Sequence, residues 1–416
     1  MAMNLQIRYT AFEKLGGVKI PLLIRDDELE LISAGYLISR FNSGAKIATL
    51  EIAAKGIKML YEFCVKSSID IHNRLSRLEI LNIGEIERLS AYISANHETG
   101  EVRAAGTYRL RYHHASNFIS WLWNFYQNRA ANDPEKLNHS KNKKQVMDYS
   151  FKIYTSAPYK TTGKTLIGLT PELRAKFFEI INPLPENELN PFKSERVKWR
   201  NYILLLTMIL AGNRRSESLL LQMNHLSLLG RDKYFEIVKD DSPLPAAYAH
   251  KKAPSVKTKG RKVALSDGIA DLILHYAKNI RPQFEGYKKV SHLFLSTRGK
   301  GKPLSVDSPN RVTDKIVEIF PEYKGFLSPH RLRNTFHDLL NDSLDETIDP
   351  NLGPIMKSSY KSVLQEYAGG WARGSQMAAK YPAGSIERRV AAMTVSLQEN
   401  ILSGGNTNNK ESNDDR

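Results

Sequence analysis

The sequence contains little cysteine, no long apolar run and comparatively few acidic residues. Its single cysteine, Cys64, excludes an intramolecular disulfide and any cysteine-rich zinc site. The longest apolar run, residues 202–212, is too short to cross a bilayer and predicts a buried helix. The opening stretch MAMNLQIRYTAFEKL lacks the apolar core of a signal peptide. Together these absences favour a cytoplasmic protein without a membrane partner.

Basic residues outnumber acidic ones. The 416 residues include 60 Lys and Arg against 44 Asp and Glu, which gives a formal net charge of +16. Such an excess favours an anionic partner, with nucleic acid ahead of a membrane surface. A merely basic protein is the alternative. The length allows two or three domains with ample core.

Composition along the chain divides it into five parts. A polar, lysine-rich stretch without clear helical periodicity predicts a linker, and helical patterns lie on both sides of it. The first part mixes apolar runs with charges and predicts either an arm or a small strand pair. The predicted parts are an N-terminal extension, a helical domain, the linker, a mostly helical domain and a disordered tail: 1–39, 40–130, 131–165, 166–402 and 403–416.

One helical stretch in the second part, TYRLRYHHASNFISWLWNFYQNRA, interleaves basic and aromatic residues. A basic face carrying Arg109, Arg111 and His114 could meet phosphates, while aromatic residues pack inward. A core helix with a solvated basic face is an equally good interpretation of this stretch. The aromatic residues expected inside are Trp121, Trp123 and Phe125.

Local patterns in the fourth part predict helix starts and short strands. Thr170 is a candidate helix cap with Pro171 at the first helical position. Candidate strands cover 234–238 and 262–265, with a third that ends near Lys257 and forms a hairpin around the turn TKGR. The apolar run HLFLS is a further candidate strand.

The stretch AGNRRSESLLLQ follows the predicted buried helix and places Arg214, Arg215 and Glu217 at its polar exit. An arginine can direct two donors at a phosphate, and a nearby carboxylate can fix its orientation. The stretch SVKTKGRKVALSD forms the basic hairpin, with Lys259 and Arg261 in its turn region. A lysine on such a hairpin could act as a mobile proton donor.

The stretch SPHRLRNTFHDLLN predicts a helix that begins with Ser328 as cap and Pro329 at the first position. The spacing of three puts His330 and Arg333 on one helix face. Helix N-termini favour anions, and their positive end lowers a histidine pKa, which keeps the ring a neutral proton acceptor. His337, two turns later, is interpreted as structural.

A fourth stretch, AGGWARGSQMAAKYPAGS, places Trp371 after a glycine pair and Tyr381 near the end of a small-residue helix. These four stretches, in this order, resemble the motifs of the tyrosine recombinase (phage integrase) family. The resemblance covers about 166–395 strongly and about 40–130 weakly. Each motif alone is weak, but their common order in a strongly basic chain is difficult to attribute to chance.

The resemblance implies a mainly α fold with a small antiparallel β-sheet, consisting of a helical core-binding (SAM-like) domain and a mixed α/β catalytic domain. Aligning VALSD with the family motif brings Lys257 nearest the catalytic lysine position, one residue short, and Lys259 is second. The implied catalytic residues are Arg214, Lys257, His330, Arg333, Trp371 and the nucleophile Tyr381, with Glu217 in support. The implied DNA-binding residues are Arg109, Arg111, His114, Arg215, Lys259 and Arg261.

Three segments depart from the compact family pattern. SPLPAAYAHKKAP is an apparent insertion before the hairpin, and the connection from His330 to the AGGW stretch is long. The spacing between Trp371 and Tyr381 is also one residue longer than usual. No catalytic residue type is lost. The amphipathic segment after Tyr381, SIERRVAAMTVSLQENIL, is expected to dock on a neighbouring subunit or to pack on its own domain.

By the same resemblance, the expected function is site-specific DNA recombination without cofactor or metal. The expected partners are double-stranded recombination sites, a homotetramer that forms on DNA from monomeric or weakly associated chains, and accessory DNA-bending proteins. Strand exchange would pass through a Holliday junction. The protein is expected to be associated with the nucleoid. Two alternatives are a type IB topoisomerase-like relaxing enzyme and a catalytically idle, sequence-specific DNA-binding relative.

Overall fold

The chain separates into two compact units, Met1–Gly163 and Lys164–Arg416. Helices dominate both, and each contains a three-stranded antiparallel sheet. The predicted mainly α class with a small antiparallel sheet is therefore confirmed, with a second small sheet in the first unit. A computed structural model of the chain describes residues 4–13, 18–129, 134–155, 167–239, 254, 256, 258–349 and 351–380.

The first unit begins with the strand pair that was one of two alternatives for residues 1–39. Strands β1 (Leu5–Phe12) and β2 (Val18–Arg25) pair antiparallel, and β2 also pairs with the short β3 (Glu28–Leu29). Buried side chains of β2 belong to the same apolar core as the helices that follow. The strands are thus part of the first unit and not a separate extension.

Among the described residues, helices α1 to α5 follow the sheet, and polar caps begin three of them. Asn82 and Glu85 form a reciprocal capping box at the start of α4, and Glu30 and Asp70 cap α1 and α3. The predicted inward packing of the α5 aromatic residues is confirmed, since Trp123 is fully buried and the other two contact the core. The bounds are α1 Leu31–Asn42, α2 Ile47–Lys66, α3 Ile71–Ser76, α4 Ile83–Ser94 and α5 Ala105–Arg129.

The stretch predicted as a linker contains a helix, α6 (Pro134–Ile153), which belongs to the first unit and packs on its core. Met147 and Phe151, four residues apart, are buried on one face of it. The Tyr112 hydroxyl donates to the Phe151 carbonyl at 3.2 Å. Two apolar side chains are enough to attach a helix whose other residues are mostly polar, so the linker prediction was wrong over these residues.

The second unit is mostly helical, and its predicted helix starts are confirmed. Thr170 accepts a hydrogen bond from the Leu173 N–H at 3.3 Å, and Ser328 accepts one from the Arg331 N–H at 3.2 Å. Both caps are followed by proline, as predicted. The helices are α7 Pro171–Ile181, α8 Glu195–Ile209, α9 Arg215–Leu219, α10 Asp267–His275, α11 Ser308–Ile319, α12 Pro329–Thr347, α13 Pro354–Gly369 and α14 Met377–Lys380.

The second sheet has the order β4 (Leu226–Ser227), β5 (Tyr234–Ile237) and β6 (Arg261–Ala264). Two predicted strands lie within one residue of β5 and β6, which pair antiparallel with each other. The predicted hairpin partner that ends near Lys257 falls largely outside the described residues. The run HLFLS forms two isolated bridges and no regular strand. Within the described ranges, no helix combines the length and apolarity needed to cross a bilayer.

Residues 167–169, ahead of α7, lie directly against α12. Side chains of Arg331, Thr335 and Asp338 hydrogen-bond the backbone of this segment at distances of 2.6 to 3.2 Å. Their spacing of four and three residues puts them on one face of α12. The segment therefore fixes one side of the helix that carries His330 and Arg333.

We expect Gly168→Ala to destabilise the protein by about 1–3 kcal/mol, the usual cost of overpacking. A Cβ at this position would lie 2.7 Å from Asp338 Oδ2 and from Thr335 Cα. Gly268→Ala, in α10, is the matched control because a Cβ there meets nothing within 4 Å. Urea unfolding of the full chain measures both variants, and equal stabilities would contradict the close packing of residues 167–169 on α12.

Candidate active site

The two arginines that the sequence predicts as phosphate ligands meet at one backbone carbonyl. Arg214 follows α8, and its Nη1 donates to the Gly369 carbonyl at 3.1 Å. Arg333, in the second turn of α12, donates from Nη2 to the same carbonyl at 2.9 Å. Gly369 is the last residue of α13 and belongs to the AGGW stretch. Three of the four motifs thus converge at the end of α13.

A buried carboxylate, Glu217, holds these arginines. Its Oε1 accepts from Arg214 Nη1 at 3.1 Å and from the Thr258 hydroxyl at 2.6 Å. Its Oε2 accepts from the Arg214 backbone N–H at 2.9 Å and from Arg261 Nη2 at 3.0 Å. Arg333 Nη1 lies 3.8 Å from the same oxygen. The carboxylate therefore contacts three guanidinium groups and orients more than the single arginine that the sequence predicted.

The charge balance of this cluster is positive. Burial alone raises the pKa of the Glu217 carboxyl, but the charges of Arg261 and Arg333 outweigh it and bring the pKa to about 2. One negative charge then faces three positive ones. Two of the arginines are buried, whereas the Arg214 side chain is 25% exposed, so an anion can approach the cluster from the Arg214 side.

The Arg333 side chain is 1% exposed. Besides the Gly369 carbonyl, its guanidinium donates to the carbonyl of Gly212, which ends the turn after α8. Gly212 has a φ of +63°, and a Cβ there would lie 2.3 Å from the Phe336 ring. Glycine is therefore required for this carbonyl to reach Arg333.

Trp371 lies beside Arg333, at the turn after α13. The guanidinium carbon of Arg333 is 5.3 Å from the centroid of the indole, a distance suited to a cation–π contact. Gly370, with a φ of +62°, ends α13, and its carbonyl accepts from the Lys259 N–H at 3.0 Å. The stretch before β6 is thereby joined to the AGGW turn.

His330 lies in the first turn of α12 and is an exposed residue whose ring is partly desolvated. Partial desolvation lowers the pKa of this ring, and so do the positive charges of nearby arginines, of which Arg333 has the largest effect. The ring is therefore neutral near pH 7 and can accept a proton.

Arg261 does not have the role that the sequence predicted. Its side chain is 2% exposed and forms the ion pair with Glu217, so it is not available on the surface for DNA. The carboxylate that pairs with it comes from a distant part of the sequence. The other two predicted DNA-binding residues of this unit, Arg215 and Lys259, are not buried, and Arg215 Nη1 donates to Asn310 at 3.1 Å.

His114, in the first unit, is also buried and faces α2. Gly56 on α2 lets α5 approach closely, because a Cβ at Gly56 would lie 2.5 Å from the Arg111 carbonyl. The predicted contact of His114 with phosphate was therefore wrong. Arg109 is exposed and Arg111 is half-buried, so both remain candidates for DNA contact.

Several predicted features lie outside the described residues. These are Lys257, Tyr381 and the amphipathic segment 385–402. Their roles stay predictions. The sequence did not single out Thr258, which donates to Glu217, because a neutral side chain gives no sign of which distant residue it contacts. Among the described residues, no group of three or more His, Cys, Asp or Glu is placed to hold a metal ion.

No family model and no curated protein sequence matches the chain. Among solved structures, it is similar to a lambda integrase dimer bound to a COC′ core site, with 13% identity, 86% of this chain and 77% of that chain covered, and a TM-score of 0.46. It is also similar to the XerH site-specific recombinase bound to palindromic difH in a post-cleavage complex. The identity is 15%, 83% of this chain and 96% of that chain are covered, and the TM-score is 0.41. A third similar structure is the Tn1549 transposon integrase in complex with transposon right end DNA. The identity is 16%, 74% of this chain and 99% of that chain are covered, and the TM-score is 0.38. Because these identities and TM-scores are low, function has to be inferred from the chain's own side chains.

Proposed function

We propose that the protein is a site-specific DNA recombinase that cleaves and rejoins DNA through a 3′-phosphotyrosyl intermediate. The observation that carries the proposal is the convergence of Arg214 and Arg333 on the Gly369 carbonyl, with Trp371 beside them. His330 lies in the first turn of the helix that carries Arg333. Arg214, Arg333 and Trp371 come from segments far apart in sequence, and the 25% exposed side chain of Arg214 leaves this positively charged cluster open to an anion.

The chemistry explains why these side chains are needed. Attack on a phosphodiester builds a crowded phosphorane whose equatorial oxygens carry more charge than those of the ground state. Arg214 and Arg333 neutralise this charge from fixed positions, and preorganised donors of this kind typically contribute roughly 10²–10³-fold each. Trp371 can add its indole N–H as a further donor to a nonbridging oxygen.

Tyr381 acts as the nucleophile in this scheme. A tyrosine hydroxyl with a pKa of about 10 is a poor nucleophile, so His330 accepts its proton as the bond to phosphorus forms. The bond between phosphorus and the 5′ oxygen breaks, and Lys257 protonates that oxygen, with Lys259 as the second candidate. The phosphotyrosyl bond retains the free energy of the broken phosphodiester. The free 5′ hydroxyl then attacks this bond, which rejoins the strand and releases the tyrosine. The arginines supply the required charge, so the scheme uses no metal or nucleotide.

We expect the DNA cleavage rate to rise with pH through the pKa of His330, because the base is the unprotonated ring. Its pKa is lowered by partial desolvation and by Arg333, so the inflection should lie below about 6.5, the ordinary histidine value. Single-turnover cleavage between pH 5 and 8 measures the profile. In His330→Gln this inflection should disappear and the rate should fall by roughly 10²–10⁴-fold. An unchanged inflection in that variant would assign the titration to another group.

In this proposal, a tetramer binds two duplex sites. The strand exchange between these sites proceeds through a Holliday junction. The net charge of +16 supports a DNA partner, and the exposed Arg109 and the half-buried Arg111 are candidates for the DNA-contacting surface of the first unit. Accessory DNA-bending proteins are further partners in this proposal. The role of Arg215 and Lys259 is contact with the DNA backbone near the cleaved bond.

The experiment that tests this function uses DNA recovered from covalent adducts in cells that express the protein. Two copies of the recovered sequence on one plasmid should exchange strands, which inverts or excises the segment between them. Relaxation of supercoils without exchange would contradict the recombinase and indicate a type IB topoisomerase-like enzyme. Binding without adducts would indicate a DNA-binding protein that has no catalytic activity.

A further inference from the structure

His337 and Gln365 form a pair behind the candidate active site. We propose that His337, held by Gln365, is a positioning residue that fixes the indole of Trp371 against the guanidinium of Arg333. This inference rests on the proposed function, in which Arg333 and Trp371 contact the reacting phosphate. It assigns a role to a histidine that the sequence indicated only as structural.

Two hydrogen bonds join α12 to α13 at this pair. His337 Nδ1 lies 2.8 Å from Gln365 Oε1, and Gln365 Nε2 donates to the His337 carbonyl at 3.3 Å. The second bond fixes which end of the Gln365 amide faces the ring. Oε1 must then be the acceptor, which places the ring proton of His337 on Nδ1. Both side chains are buried, so the pair is a defined link between the two helices.

The imidazole of His337 stacks on Trp371. The ring centroids are 4.8 Å apart with an interplanar angle of 25°. Arg333 precedes His337 by one helical turn, so both side chains project from the same face of α12 and both contact the indole. His337 thereby sets the orientation of the Trp371 ring. The face of the indole in turn supports the Arg333 guanidinium.

A neutral ring suits this position. Burial lowers the pKa of His337 to about 3, and the charge of Arg333 acts in the same direction. The imidazole therefore stacks without adding a second positive charge beside Arg333. An aliphatic residue could fill the space, but it would lack the flat face that stacks on the indole. It would also lack the hydrogen bond to Gln365 that fixes the orientation of the ring.

Three variants test the proposal. His337→Leu removes the ring, Gln365→Met keeps the volume but removes both hydrogen bonds, and Trp371→Leu removes the stacked partner. The control is Thr335→Val, which lies on a different face of α12 from Arg333 and His337 and loses the hydrogen bond from the Leu169 N–H. We expect the first two variants to slow single-turnover cleavage by roughly 10- to 100-fold, the effect of misplacing a catalytic group, with DNA affinity unchanged. The control should lose stability without slowing cleavage.

The combination of His337→Leu with Trp371→Leu gives the readout that a purely structural role would not produce. If His337 acts through Trp371, its replacement should add almost nothing in the Trp371→Leu background. Fully additive losses would overturn the proposal, as would an unchanged cleavage rate in Gln365→Met. Should His337→Leu fail to fold, Gln365→Met alone carries the test.

A spectroscopic measurement separates this inference from the proposed function. The emission difference between wild type and Trp371→Phe isolates this indole from the other three tryptophans. We expect His337→Leu and Gln365→Met to shift this emission to longer wavelength, because water reaches a displaced indole. An unchanged emission in both would overturn the positioning role. If wild type forms no adduct with any DNA, the proposed function fails, and the emission result still decides the placement of Trp371.

Discussion

Arg333→Lys should lower the single-turnover rate of DNA cleavage by roughly 10²–10³-fold, the loss typical of removing one preorganised donor. Lysine keeps the charge, but a single ammonium group cannot reach the carbonyls of Gly212 and Gly369 while it lies over the indole of Trp371. DNA affinity should change little, because Arg333 is buried and contributes to the transition state rather than to general attraction. Cleavage of a nicked duplex with the recovered site measures the rate, and a binding isotherm measures the affinity.

Arg196→Lys is the matched control for this substitution. Arg196 also donates to a backbone carbonyl, that of Gln283, at 2.9 Å, but it lies at the opposite end of α8 from Arg214. The rate of this variant should equal that of wild type. If Arg333→Lys cleaves as fast as Arg196→Lys, the Arg333 guanidinium does not stabilise the reacting phosphate.

Glu217→Gln should destabilise the protein by about 3–5 kcal/mol, the usual cost of leaving buried charges without their partner. The amide removes the negative charge between Arg214, Arg261 and Arg333, and two of these guanidiniums are almost inaccessible to water. Urea unfolding at neutral pH measures the loss. Because the Glu217 pKa is depressed to about 2, this stabilisation is complete above the unfolded-state pKa of about 4.3 and is lost as the pH falls through 2.

Glu322→Gln provides the comparison. Glu322 accepts from Lys176 at 2.6 Å, but both side chains are more than a third exposed. Exposed pairs contribute about 0–1 kcal/mol, so this variant should unfold almost as wild type does. Equal losses in the two variants would show that burial of Glu217 among the arginines has no energetic role.

The parts of the fold that the sequence predicted well are those determined by neighbouring residues. Ser328 and Pro329 define the start of α12 within the motif itself, and the spacing of three then places His330 and Arg333 on one face. Thr170 defines the start of α7 in the same way. A cap needs only the next three residues, so a single sequence is sufficient to find it.

The predictions that were wrong concern burial, which depends on distant residues. The charge of Arg261 indicated DNA, but Glu217, far away in sequence, keeps it inside. His114 lies on a helix with basic neighbours, yet Gly56 of another helix lets it be buried. Helix α6 has the polar composition of a linker, and only its few apolar residues meet the core. Composition reports the average environment of a segment and not the environment of one side chain.

The candidate site likewise combines features that neighbouring residues determine with features that distant residues determine. Its residue types and their order were evident from the four motifs. The convergence of Arg214 and Arg333 on the Gly369 carbonyl was not, because it depends on where α13 ends relative to α12. The stacking of His337 on Trp371 likewise joins two motifs whose separation in sequence gives no sign of contact.

The measurement that tests the central claim most directly is the formation of denaturant-resistant protein–DNA adducts by wild type and by three tyrosine variants. Tyr381→Phe should form none, whereas Tyr360→Phe and Tyr367→Phe, changed at exposed positions of α13, should form as many as wild type. Mass spectrometry of the digested adduct should find the nucleotide on Tyr381. Adducts that persist in Tyr381→Phe, or that vanish in either control, would contradict the assignment of Tyr381 as the nucleophile.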